Sequence, residues 1–180
     1  MSQPFSRPTA LFGVSVAVGL ALVMGGAALQ PQDQNSFQPL FNGKDLSGWE
    51  GNPDLWSVED GLLTGRTSSE NPLKYNQFLI HKGEPVRNFE LRATFRLMGD
   101  NNSGVQYRSK QRPEIGDYVV AGYQADIHPS PSYNGMLYDE RGRGIVAESG
   151  QRVVVTAQGE KRVEGRTEAE KPQVDLSDWN

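Results

Sequence analysis

Along this chain, large apolar side chains recur at every second position in short runs, and almost nowhere at the three-and-four spacing of a helix. The cleanest run is 89–97, where Phe89, Leu91, Ala93, Phe95 and Leu97 take one side of an extended strand and Glu90, Arg92, Thr94 and Arg96 the other. Burying its four large side chains is worth roughly 6–12 kcal/mol, as an upper bound. A slip of one residue would expose them all, so the register is expected to be firm, with Arg92 and Arg96 as solvated charges. In 56–63, Trp56 and Val58 alternate with polar neighbours, Asp60-Gly61 supplies a turn and Leu62-Leu63 returns, which predicts a hairpin. Asn42-Gly43, between two apolar clusters, predicts a second hairpin or a tight corner. Further strands are predicted at 75–80, 105–109, 118–128, 135–139 and 151–157, whereas 158–173, charged and nearly free of large apolar residues, reads as an exposed loop. About eight short strands without a crossover helix point to an all-β class, an antiparallel β-sandwich or jelly roll.

Within that pattern, 122–128 carries the most chemistry. Tyr123, Ala125 and Ile127 share one side of the strand; Gln124, Asp126 and His128 share the other. The expectation is that the first set fills the interior while the amide, carboxylate and imidazole look out into an open, sugar-sized hollow. An ordinary solvated sheet face is the plainer alternative. Gln106 and Arg108 share a parity opposite Val105 and Tyr107.

Residues 10–29 contain no charge and follow Arg7, the pattern of an export signal, with Gly26 and Ala28 at the cleavage positions. The expected division is a signal peptide at 1–28, a polar linker at 29–36 and one domain at 37–180, secreted or periplasmic. About 20 apolar residues also suffice to cross a bilayer, so an uncleaved membrane anchor is the alternative. The last residues, 175–180, read as the opening of a strand, which suggests a domain incomplete at its C-terminus.

Composition then removes whole classes of function. A net charge of -4 without a basic stripe argues against nucleic acid. With no cysteine there is no thiolate nucleophile, disulfide or Cys-type zinc site, and His81 and His128 are too few for a multi-histidine metal centre. No cofactor is expected; Asp100, Asn101 and Asn102 are the residues whose oxygens would suit Ca²⁺. P-loop, G-x-S-x-G and H-E-x-x-H patterns are absent.

FNGKDLSGW at 41–49, W-x-V-x-D-G-x-L at 56–63, NSGVQYRS at 102–109, GYQADI at 122–127 and GMLYDERGRG at 135–144 together resemble the 3-keto-disaccharide hydrolase domain, formerly a domain of unknown function. The resemblance covers 37–180. It implies a concanavalin-like jelly roll, exported, common in bacteria that degrade carbohydrates, whose members continue past a Trp-Asn pair like Trp179-Asn180 into further strands. It also implies cleavage of glycosides already oxidised at C3: a base removes the proton on C2, the C1 substituent leaves, and water adds back. On that reading Asp126 is the base, with a bound arginine as the structural alternative. His128 serves as base or acid, or merely ends the strand before Pro129. Arg108 faces the enolate oxygen or forms a salt bridge. Gln124, Gln106 and Asn102 bind sugar hydroxyls, Tyr138 offers a ring face, and Asp139 and Arg141 belong to the family-like motif. Tyr107 is expected in the core. A non-catalytic carbohydrate-binding module on the same fold, or a structural surface domain, are the competing readings.

Overall fold

The structure, a computed structural model, describes residues 37–70, 72–99, 102–167, 174–175 and 178–180, together with the backbone of 15–17. Most of the predicted leader and the linker at 29–36 lie outside the described residues. So do Asp100 and Asn101 of the suggested Ca²⁺ site. The chain forms two units, residues 1–66 with 81–94 and residues 67–80 with 95–180.

In the first unit, β1 (Ser15–Ala17) lies between β2 (Gln38–Pro39) and β7 (Glu90–Arg92), antiparallel to both, with Val16 opposite Gln38 on one side and Leu91 on the other. The Asn42-Gly43 signal makes a tight corner and not a hairpin. Asn42 Oδ1 accepts from the backbone N–H of Lys44 at 2.8 Å and of Asp45 at 3.0 Å, so the side chain replaces a strand partner. Nearby β3 (Trp49–Glu50) pairs with β6 (Ile80–His81), and the Lys82 N–H donates to the Gly48 carbonyl at 2.8 Å. The predicted hairpin is present as β4 (Trp56–Glu59) and β5 (Leu62–Gly65). Its turn has Asp60 at φ 50 and Gly61 at φ 77, both left-handed as a tight hairpin of this twist requires.

The run at 89–97 is not one strand. Pairing ends at Arg92, which is exposed as expected, its guanidinium 4.1 Å over the Phe37 ring and bonded to Glu90 at 2.8 Å. The boundary between units falls after Thr94, so the apolar positions serve two cores: Leu91 belongs to the first unit and buried Leu97 to the second. Phe95 exchanges both backbone hydrogen bonds with Asn180, at 3.0 and 2.8 Å, while Arg96 stacks at 5.0 Å over Trp179. The predicted strand at 75–80 likewise shrinks to β6, with one bond from Phe78 N–H to the Tyr118 carbonyl at 3.0 Å.

The second unit is built on an antiparallel four-stranded sheet in the order β11-β10-β9-β8, formed by β8 (Ser103–Gln111), β9 (Val120–Ile127), β10 (Leu137–Glu140) and β11 (Gly144–Ala147). Its buried apolar residues are Leu97, Val119, Val120, Met136 and Val146. Beside these, β12 (Gln151–Val155) pairs with β13 (Lys161–Arg166), inside the stretch expected to be a loop. Every residue of β13 is exposed, so its pairing rests on the backbone ladder and on surface polar contacts such as Arg166 with Glu148, not on burial. The described residues contain no helix, and the all-β antiparallel class is as the sequence predicts.

Candidate functional site

The register of β8, β9 and β10 decides which side chains meet. Gln106 lies opposite Gln124, Gly104 opposite Asp126, and on the other flank Tyr138 opposite Gln124 and Glu140 opposite Gly122. Directly opposed residues share a face, so Gln106, Gln124, Asp126, Tyr138 and Glu140 stand on one side of the sheet. The parity read from the sequence is therefore present, but it faces the other way. Gln124 and Asp126 are 8% and 3% exposed, while Ala125 between them is exposed. The polar face is the covered one, and the carboxylate does not look out into an open hollow.

Covered carboxylates persist only when their oxygens are satisfied. Gln124 Nε2 donates a short hydrogen bond to Asp126 Oδ1, and Asn102 Nδ2 sits 3.4 and 3.3 Å from the two carboxylate oxygens. Gln106 Nε2 in turn donates to Gln124 Oε1 at 3.3 Å. Two amides thus bond the acid and a third backs one of them, and among the described residues no arginine is bonded to it. Burial pushes the Asp126 carboxyl up from its ordinary value, against the opposing pull of its hydrogen bonds from Gln124 and Asn102.

His128 follows the strand end. Its Nδ1 accepts from the Ser130 N–H at 2.9 Å, which leaves the exchangeable proton on Nε2, and its ring meets Tyr133 edge-on at 5.1 Å. Tyr138 is half-buried and lies beside Gln124. Arg108 departs from the expectation. Two residues, Arg108 and Ser109, oppose the single Gly122, and Arg108 takes φ 50, so a β-bulge interrupts the alternation that placed it with Gln106. Its side chain is exposed.

Asp139 is not brought to this face. It pairs with Tyr123 on the reverse side, where Arg143 Nε bonds its carboxylate at 2.7 Å and Arg143 Nη2 bonds the Tyr123 hydroxyl at 2.8 Å. Tyr107 is there too, 5.9 Å from the Tyr123 ring, half-buried and not fully in the core; burial raises its pKa. Arg141 turns the chain at φ 61 and stacks 4.4 Å over Tyr75. Its Nε lies 3.7 Å from Glu140.

Glu140 is not among the candidates read from the sequence. It is 7% exposed and accepts from Asn76 Nδ2 at 3.1 Å. The signal was there in principle, because Glu140 keeps the parity of Tyr138 on the same strand. Four strand positions and one strand spacing put its backbone roughly 14 Å from that of Asp126, too far for both carboxylates to work on neighbouring atoms. Among the described residues, no three His, Cys, Asp or Glu side chains cluster as metal ligands would.

Compared with known proteins, the chain is 27% identical over 90 residues to a 3-keto-disaccharide hydrolase of Bacteroides thetaiotaomicron. That alignment covers 45% of this chain and 30% of the relative, so the chain spans less than a third of the curated relative it matches. No solved structure matches. Residues 36–180, which hold β2 to β13 and so all the strands around Asp126, match the 3-keto-alpha-glucoside-1,2-lyase-like domain, and the chain belongs to that family.

Proposed function

We propose that this chain belongs to an enzyme cleaving glycosides oxidised at C3, with Asp126 as the base that removes the proton on C2. The observation that carries the proposal is the carboxylate of Asp126, 3% exposed, gripped by Gln124 and Asn102, and raised in proton affinity by its burial. A base of that kind is stronger than a solvated aspartate and is held in one orientation. The substrate class comes from the family and from the relative's name.

A ketone at C3 acidifies the C2 hydrogen. Asp126 takes that proton, and the electron pair moves toward the C3 oxygen as an enolate. The enolate then reforms the ketone as the C1–O bond breaks, and the C1 substituent leaves with a proton. Water adds across the resulting C1–C2 double bond, its hydroxyl to C1 and its proton to C2. The leaving oxygen takes the proton that Asp126 removed from C2; His128, whose Nδ1 accepts from the Ser130 N–H, is neutral in this geometry and is not assigned the acid's role. Side chains and water carry the reaction as written. Arg108 is not assigned a role, since the bulge removes the alternation that pointed it at the enolate. Gln106, Gln124, Asn102 and Tyr138 supply the polar and aromatic contacts for the sugar.

Export through the uncharged segment at 10–29 belongs to the same reading, because oxidised glycosides would be met outside the cytoplasm. A cut after Ala28 would take β1 with it and leave β2 and β7 without the strand between them.

The test is turnover of a 3-keto disaccharide beside its unoxidised parent. Asp126→Asn is expected to lower the rate on the keto substrate by about 10²–10⁴-fold. Full activity in that variant would remove Asp126 as the base. Saccharide binding by the unaltered chain with no turnover would instead support the non-catalytic module.

A further inference from the structure

We infer that Gln106 reads a hydroxyl of the ligand: its Oε1 is the free end of a one-way chain of amides that terminates on Asp126. The inference rests on the reading above for the ligand's being a saccharide, and it adds which atom recognises it and why that atom is an acceptor.

The direction of the chain is forced by chemistry. An ionised carboxylate only accepts, so Gln124 must turn its NH₂ toward Asp126. That leaves Gln124 Oε1 facing Gln106, and an oxygen in that place must be met by the NH₂ of Gln106, as it is at 3.3 Å. The remaining atom of the chain is then necessarily an oxygen. Gln106 Oε1 is that atom; it is shielded from water and has no hydrogen-bond partner, although the residue as a whole is only half-buried. A shielded acceptor without a donor costs free energy until something supplies one. An O–H of a sugar fits this requirement. A ligand group that only accepts, such as a carboxylate or phosphate, does not.

The backbone is shaped around the same chain. Gly104 stands opposite Asp126, and a Cβ there would lie 2.6 Å from Cγ and Cδ of Gln124. The bare glycine is what lets Gln124 lie flat across β8 and join Gln106 to Asp126. Because each amide in the series polarises the next, a hydroxyl donated to Gln106 also strengthens the bond held on the carboxylate.

The experiment uses the full chain, a 3-keto disaccharide and its single-deoxy analogues, with binding followed by calorimetry and turnover by kcat and KM. One deoxy analogue is expected to bind the unaltered chain about five- to tenfold more weakly than the parent. With Gln106→Leu, the parent's affinity should fall by the same factor and become equal to that of the analogue, read by calorimetry and as a matching rise in KM. Gln106→Asn, which keeps both an NH₂ and an acceptor oxygen, should restore part of the difference between the two ligands. The inference is overturned if every deoxy penalty persists unchanged in Gln106→Leu, if the parent binds that variant undiminished, or if no saccharide binds the unaltered chain. Binding without turnover would overturn the proposed reaction alone, and the calorimetric comparison would still decide the role of Gln106.

Discussion

At Gly104 the absence of a side chain has a direct chemical effect. The added methyl of Gly104→Ala would collide with Gln124 at 2.6 Å and with the Ala125 carbonyl at 2.9 Å. The expected outcome is a loss of about 1–3 kcal/mol of stability in urea denaturation. Catalysis should fall with it, since Gln124 can no longer hold Asp126. A glycine in a strand read from sequence suggests only a close approach of something. What approaches is an amide from the neighbouring strand, which no pattern of spacing discloses. Parity did identify the right companions for Asp126, because Gln124 and Gln106 do stand on its face. It assigned that face to the outside, since polar residues are more often solvated, and here two amides bond the acid while a third backs one of them.

At the scale of elements, legibility follows the source of each strand's stability. The β4–β5 hairpin was readable because Asp60-Gly61 fixes two positive φ angles locally, and β9 because its alternation is complete. In contrast, β13 has no buried residue, and its pairing with β12 rests on backbone and surface polar contacts that leave no hydrophobic trace. The run at 89–97 misled for the opposite reason, its apolar side being shared between two units. The bulge was equally silent, since Arg108 takes a positive φ without the glycine that usually marks one. Its partner Gly122 carries the matching constraint. At φ 148, a Cβ on Gly122 would meet Ser109 Cα at 2.5 Å and the Arg108 carbonyl at 2.9 Å. Gly122→Ala is therefore expected to cost about 1–3 kcal/mol by loosening β8 from β9, read as a lower urea midpoint.

For the whole molecule, Asp126 links the site to stability through pH. Its carboxyl is raised from 3.8 in the folded state, so between 3.8 and the folded pKa the native chain holds the extra proton. The stability this contributes is fully present below 3.8 and is lost as pH rises through the folded value. At neutral pH the ionised, buried group is a net cost that Asp126→Asn removes. That variant should match or exceed the unaltered chain in melting temperature at about pH 7, and the gain should fade as the pH is brought down toward about 4. A melting temperature well below that of the unaltered chain at neutral pH would show that the amides need the charge more than the fold resents it. All of these residues lie in the unit formed by 67–80 and 95–180, so one folding unit holds both the carboxylate and the groups that tune it. The bulge in β8 has one more effect on that unit. With a single residue fewer at 108–109, Arg108 would come directly opposite Gly122 and project onto the side occupied by Gln106 and Gln124. The chain thus stands one deletion away from setting a guanidinium among the amides, and the extra residue is what keeps that cation off their face.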